Sequence, residues 1–98
     1  GLQAEAYMSP QPQSSKTGAQ QFDEMYFNLK NANIDVQSVW IQVTSSDYWY
    51  VYKSVNVQFL NSILQRANHY GLSVGIYTNI DEWSEITGSA KINNITLW

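Results

Sequence analysis

The chain has 98 residues, a formal net charge of −3 at pH 7 and a charged fraction of 13%. This length suits one small domain, and the sparse, slightly acidic charge offers no basic surface for nucleic acid. Cysteine is absent, which excludes disulfides and thiolate metal sites, and no apolar run is long enough to span a membrane. His69 is the single histidine, so we expect neither a metal site nor a cofactor.

Alternation of apolar and polar residues recurs along the chain and predicts strands. In the central segment Val39, Ile41 and Val43 fall on one face, and the residues between them fall on the other. The same pattern predicts strands at residues 3–8, 38–44, 72–78 and 93–98.

The first predicted helix follows a loop that two prolines keep out of regular structure. Thr17 and Gln20 have the spacing of a capping box, which places the helix start at this point. We predict that Asp23 and Glu24 lie in the first turn, where their negative charges would interact favourably with the positive end of the helix dipole.

Two further helices are predicted from apolar residues at helical spacing. One spans residues 56–70 and ends where Gly71 supplies a left-handed cap. The other is short, begins after Asn79 and ends near Gly88. Strand and helix therefore alternate along the chain, and this order predicts parallel strands in an α/β fold.

One face of the predicted strands is polar and aromatic, unlike a sheet covered by helices on both sides. The residues on this face are Glu5, Tyr7, Gln42, Thr44, Tyr77 and Asn79. In a (β/α)8 barrel such a face points inward and lines the site near the carboxyl ends of the strands. We therefore predict that residues 1–98 are a fragment of one domain and form about half of a barrel that usually has ~250 residues. An open α/β sheet is the alternative.

Three motifs carry a resemblance to a known family. Tyr-Met-Ser-Pro at residues 7–10, Val-Trp-Ile-Gln-Val-Thr at 39–44 and Val-Gly-Ile-Tyr-Thr-Asn at 74–79 follow one another at suitable spacing. In order and spacing they resemble the family 25 glycosyl hydrolases, and the chain is most similar to the nematode branch of secreted, immune-related lysozymes. The resemblance implies a barrel that cleaves the β-1,4 bond between N-acetylmuramic acid and N-acetylglucosamine in peptidoglycan.

The family's usual Asp-x-Glu corresponds here to Gln42-Val43-Thr44. Neither an amide nor an alcohol acts as a general acid near neutral pH, which glycoside hydrolysis requires. Two hypotheses follow. Either the protein is an N-acetylmuramidase whose carboxylates lie elsewhere, or it is a relative that binds glycan without cleaving it. A small α/β domain of unrelated role is a third reading.

Within the chain, Glu5 is the candidate catalytic residue, because it shares the inward face with Tyr7. Asp47 and Asp81 lie after the second and third strands, at the end where barrel sites form. They are alternatively a turn residue and a helix N-cap, respectively.

The resemblance also implies residues that bind substrate. Tyr7, Tyr77 and Asn79 match positions that line the family's cleft, and Gln42 and Thr44 can hydrogen-bond sugar hydroxyls. Trp49 follows in a loop, where its ring can stack on a sugar.

The remaining aromatic and sequon residues have structural readings. Trp40 is predicted to fill the barrel interior and Trp83 to pack the short helix against the sheet. Asn94 begins a match to an N-glycosylation sequon.

Overall fold

A computed structural model describes residues 4–91 and 96–97 of the chain. Its elements are β1 (Ala4–Met8), α1 (Gly18–Asn31), β2 (Val36–Gln42), α2 (Lys53–His69), β3 (Ser73–Tyr77), α3 (Ile80–Thr87) and β4 (Thr96–Leu97), with a 3-10 turn at Ser46–Tyr48. The strands lie side by side in chain order and every pairing is parallel. The predicted α/β alternation with a parallel sheet is confirmed. The predicted sequon at Asn94 lies outside the described residues.

The predicted helix ends agree with local hydrogen bonds. Thr17 Oγ1 accepts from the Gln20 amide at 3.1 Å, while Gln20 Oε1 accepts from the Thr17 amide at 2.8 Å. After α2, Gly71 adopts φ +74°, the left-handed conformation in which a residue without Cβ has no steric cost. Asn79 caps α3 by accepting the Glu82 amide at 2.8 Å.

The prediction for Asp23 and Glu24 was wrong, because α1 begins at Gly18 and its first turn holds no acidic residue. Asp23 instead accepts hydrogen bonds from the side chains of Arg66 and Tyr70 in α2 and the turn that follows it. Its carboxylate therefore joins two helices and does not cap one.

The bounds of β2 and α2 also differ from the predicted ones. β2 ends at Gln42, although the Val43 amide still donates to the Tyr77 carbonyl at 2.9 Å. The chain then turns away because Ser45 adopts φ +62°. α2 begins at Lys53, so Asn56, predicted to start the helix, lies one turn inside it.

The helices cover only one face of the sheet. Alternate strand residues, among them Met8, Val39, Ile41 and Ile76, are buried in one apolar cluster with residues of all three helices. Burial of this apolar surface is the main contribution that holds the layers together. The residues between them point to the other face, where Glu5 and Gln42 are exposed.

On the uncovered face, the indole of Trp40 lies across the sheet. Its Nε1 donates to Glu5 Oε2 at 3.3 Å on β1. On β3, a Cβ added to Gly75 would lie 2.4 Å from the Trp40 ring, so the ring rests directly on that glycine. Trp40 therefore lies on the face that a barrel would enclose.

None of the helices in the described ranges is long and apolar enough to cross a membrane.

Candidate functional site

A row of polar side chains lies at the carboxyl ends of β1 and β2. Ser9 Oγ donates to Gln42 Oε1 at 2.9 Å, and Gln42 Nε2 donates to Thr44 Oγ1 at 3.3 Å. We call Ser9, Gln42 and Thr44 the polar row. It forms because β1 pairs in parallel with β2, so the ends of the two strands reach the same edge.

The polar row lines an open groove of about 330 Å³, the edge groove. Its other walls come from the loops after β1 and β2, and its full lining is Ser9, Pro10, Gln11, Gln42, Thr44, Ser45, Tyr48 and Trp49. Hydroxyl and amide groups beside the exposed ring of Tyr48 provide the hydrogen bonds and the flat apolar surface that a sugar requires.

Glu82 contributes to this region and was not predicted as a site residue. Its Oε2 accepts the Ser45 amide at 3.1 Å and so holds the left-handed turn directly after Thr44. Asn79 and Glu82 have capping-box spacing, in which the glutamate usually bonds the cap's own amide. That spacing is a local signal for a cap, and it gives no indication of a contact with the loop after β2.

Glu5 is not brought together with the polar row. Glu5 pairs in register with Ser38 on β2. Glu5 lies four residues before Ser9, so the two residues are about 13 Å apart along the strand. The carboxyl groups of glycosidases lie about 5–9.5 Å apart across the bond they cleave. A partner for Glu5 would therefore have to approach the uncovered face, well below the edge groove.

Asp47 and Asp81, the two other candidate carboxylates, lie in different elements. Asp47 is exposed in the Ser46–Tyr48 turn and lies beside the groove loops, in agreement with its reading as a turn residue. Asp81 is exposed in the first turn of α3. The N-cap reading of Asp81 was wrong, because Asn79 takes that position.

The predicted cleft residues Tyr7 and Tyr77 are accessible. They are 62% and 42% exposed, and both lie on the uncovered face. Tyr77 pairs in register with Gln42, which places it next to the polar row. Asn79 uses its side-chain oxygen to cap α3.

Trp49 is almost wholly buried, with 5% of its surface exposed. Its Nε1 donates to the Thr44 carbonyl at 3.1 Å, and its ring meets Phe59 edge to face. This packing leaves almost none of the ring for stacking on a sugar and fixes the base of the loop. Trp83 is 7% exposed and donates to the Ala90 carbonyl, as its predicted packing role requires.

Within the described ranges, no three His, Cys, Asp or Glu side chains lie close enough to hold a metal ion. His69 is exposed near the end of α2, with its ring against Tyr70.

Parallel strands, crossover helices and a polar groove at the carboxyl edge define an α/β protein with a candidate ligand site at the strand ends. Residues 1–98 match the family described as Lysozyme-like protein 1. The chain therefore belongs to the lysozyme-like protein family, which confirms the predicted resemblance to nematode lysozymes.

Relatives from two organisms agree with this assignment. Lysozyme-like protein 2 of Caenorhabditis elegans is 57% identical over the whole of this chain, which corresponds to 36% of that protein's length. Lysozyme-like protein 1 of the same organism is 51% identical over the whole chain and 34% of its own length. A probable GH family 25 lysozyme of Dictyostelium discoideum is 32% identical over 86% of this chain and 39% of that protein. The chain thus spans little more than a third of these relatives, and no solved structure matches it.

Proposed function

We propose that the whole protein is a lysozyme-like glycoside hydrolase that cleaves bacterial peptidoglycan as an N-acetylmuramidase. In this proposal the strands form about half of a (β/α)8 barrel, and the uncovered face becomes its interior. The protein is secreted and meets bacteria in immunity or digestion. This chain supplies one wall of the substrate cleft.

The polar row carries the proposal. Ser9, Gln42 and Thr44 stand at the edge where barrel enzymes bind substrate, and their hydrogen bonds hold amide and hydroxyl groups in fixed positions. Tyr7 and Tyr77 extend the same surface with exposed rings. In a member of the lysozyme-like family, this set fits an N-acetylated glycan, whose sugars present hydroxyls, amides and apolar ring faces.

Catalysis requires carboxylates that the polar row does not contain. In the proposal, Glu5 is the candidate acid within this chain, and the remaining carboxylates come from the rest of the protein. Because Glu5 faces the barrel interior far below the edge groove, its role depends on a substrate that reaches this depth.

Turbidity clearance of peptidoglycan by the whole protein tests the proposal. Glu5→Gln is expected to lower the rate at least a hundredfold, since an amide cannot donate the proton. Glu24→Gln is the matched control, because Glu24 is exposed on α1 and pairs only with Lys16 among the described contacts. Full clearance by a folded Glu5→Gln protein would remove Glu5 from the mechanism. Absence of clearance by the unaltered whole protein would contradict hydrolysis.

A glycan-binding protein without hydrolysis is the second candidate function. The observation that favours it is the occupation of the Asp-x-Glu positions by Gln42 and Thr44, whose side chains bind each other. Sedimentation with insoluble peptidoglycan distinguishes the candidates. A whole protein that sediments with cell wall, releases no sugar and loses binding in Gln42→Ala would be a binder.

A further inference from the structure

The segment from the last residue of the 3-10 turn to the start of α2 exposes several large side chains. Tyr48, Tyr50, Val51 and Tyr52 are 64%, 42%, 90% and 74% exposed. We call residues 48–52 the tyrosine loop. Large rings exposed together on one short segment commonly mark a binding surface.

The tyrosine loop is held in place from within the protein. Asn56 is fully buried, accepts the Tyr50 amide at 3.0 Å and donates to the carbonyls of Tyr50 and Ile86 at 2.8 Å each. Trp49 anchors the middle of the loop in the core. The backbone of the loop is therefore held from within the protein, so a ligand that binds the loop would restrict little further backbone motion.

A second groove of about 560 Å³ lies between the tyrosine loop and α3, and we call it the helix-side groove. It shares only Trp49 with the edge groove among the residues that line the two. The polar and aromatic side chains in its lining include Gln13, Asp47, Tyr50, Lys53 and Glu85. An aromatic ring beside carboxylate, amide and ammonium groups is suited to a polar ligand with an apolar face.

The charges of the groove select among such ligands. The groove is lined by two carboxylates, those of Asp47 and Glu85, and by one ammonium group, that of Lys53. The chain as a whole has a formal net charge of −3. The methylene stem of Lys53 lies near Gly88 at the end of α3, where a cation is favoured by the helix dipole. A polyanion such as nucleic acid or an anionic membrane would meet net repulsion here. An uncharged saccharide would not.

We propose that the helix-side groove is a second saccharide site, which binds N-acetylated β-1,4-linked amino sugars beside the edge groove. Tyr50 stacks on a pyranose ring, and Asp47 and Glu85 accept hydrogen bonds from its hydroxyls. The choice of an amino sugar rests on the proposed function, whereas the site itself rests on the loop and the groove. Its role is to retain the protein on a long glycan strand.

Calorimetric titration of the whole protein with a soluble N-acetylglucosamine tetrasaccharide tests the inference. Tyr50→Ala and Glu85→Gln are expected to weaken binding at one site at least tenfold. Tyr50→Phe keeps the stacking ring and should change the affinity less than twofold. Phe27→Ala, which removes an exposed ring from α1, is the matched control and should also change it less than twofold.

Unchanged affinity in a Tyr50→Ala protein with native circular dichroism would overturn the inference. Absence of binding between the unaltered protein and the tetrasaccharide would also overturn the inference. A third contradicting result is a Tyr50→Ala protein that binds phosphatidylcholine vesicles less tightly while its affinity for the sugar is unchanged. Failure of the proposed hydrolysis is a separate outcome, because it shows as absent peptidoglycan clearance while tetrasaccharide binding persists.

Discussion

At the scale of single residues, the Trp40 ring explains why a glycine stands at position 75. It lies inside β3, where glycine has no side chain to pack and weakens a strand. The Trp40 ring occupies the space that a Cβ would need. The glycine therefore permits a large ring to lie flat across the sheet, with its nitrogen bonded to Glu5.

Asn56 is the buried polar residue on which the tyrosine loop depends. In Asn56→Ala, two backbone carbonyls and one amide lose their partner, and each unsatisfied buried group costs about 1–3 kcal/mol. We expect the whole protein to lose about 2–4 kcal/mol of unfolding free energy, measured by urea denaturation. Asn61→Ala, at an exposed site on the same helix, should change it by less than about 0.5 kcal/mol. Equal effects of the two substitutions would contradict this role.

At the scale of elements, α1 and α2 are joined by a polar and aromatic contact. Asp23 accepts from Arg66 at 2.8 Å and from the Tyr70 hydroxyl at 2.5 Å. The Tyr70 ring stacks on Tyr26 with centroids 4.0 Å apart, and Lys30 lies over the other ring of this pair, that of Tyr26. The contact thus joins the first half of α1 to the carboxyl end of α2.

This contact predicts a pH dependence of stability. The hydrogen bond to Asp23, aided by desolvation, raises the pKa of Tyr70 above its ordinary value of 10.0, against the opposing effect of Arg66. Below about pH 10 both folded and unfolded chains hold the proton, and the contribution is complete. As the pH rises further, the unfolded chain loses its proton first, so the stability falls.

Tyr70→Phe should therefore flatten the decline of unfolding free energy between about pH 9.5 and 11. Denaturation midpoints at several pH values measure this decline. Tyr52→Phe is the control, because Tyr52 is 74% exposed and should leave the slope unchanged. A Tyr70→Phe protein with the same slope as the unaltered one would contradict the assignment.

At the scale of the whole molecule, the one-sided coverage of the sheet is the dominant feature. β1 and β4 lie at the two sides of the described sheet, and Tyr7 and Tyr77 are exposed on the face that the helices leave open. In the proposed barrel, further strands pair with these edges and enclose this face.

The isolated 98-residue chain is therefore expected to self-associate through its edges and open face. Light scattering after size-exclusion chromatography should show oligomers that grow over about 1–100 µM, whereas the whole protein stays monodisperse. Tyr7→Lys places a charge on β1 and should reduce the association. A monomeric chain across this range would contradict the expectation.

Local patterns in the sequence determined the strand–helix order, the Thr17 cap, the Gly71 turn and the two faces of the strands. These follow from side-chain periodicity and from hydrogen bonds between residues a few positions apart. The three ordered motifs also placed the chain in its family, and the polar residues of the uncovered face marked the candidate site.

Which distant groups meet depends on the tertiary structure, because it sets how the helices pack on the sheet. It placed Glu5 far below the polar row, buried the Trp49 ring, turned Glu82 toward Ser45 and paired Asp23 with Arg66. The two hydrogen bonds join residues 37 and 43 positions apart, and the burial of Trp49 depends on packing against Phe59 in α2. Local periodicity fixes the face on which a side chain lies, whereas packing determines the partner it finds there.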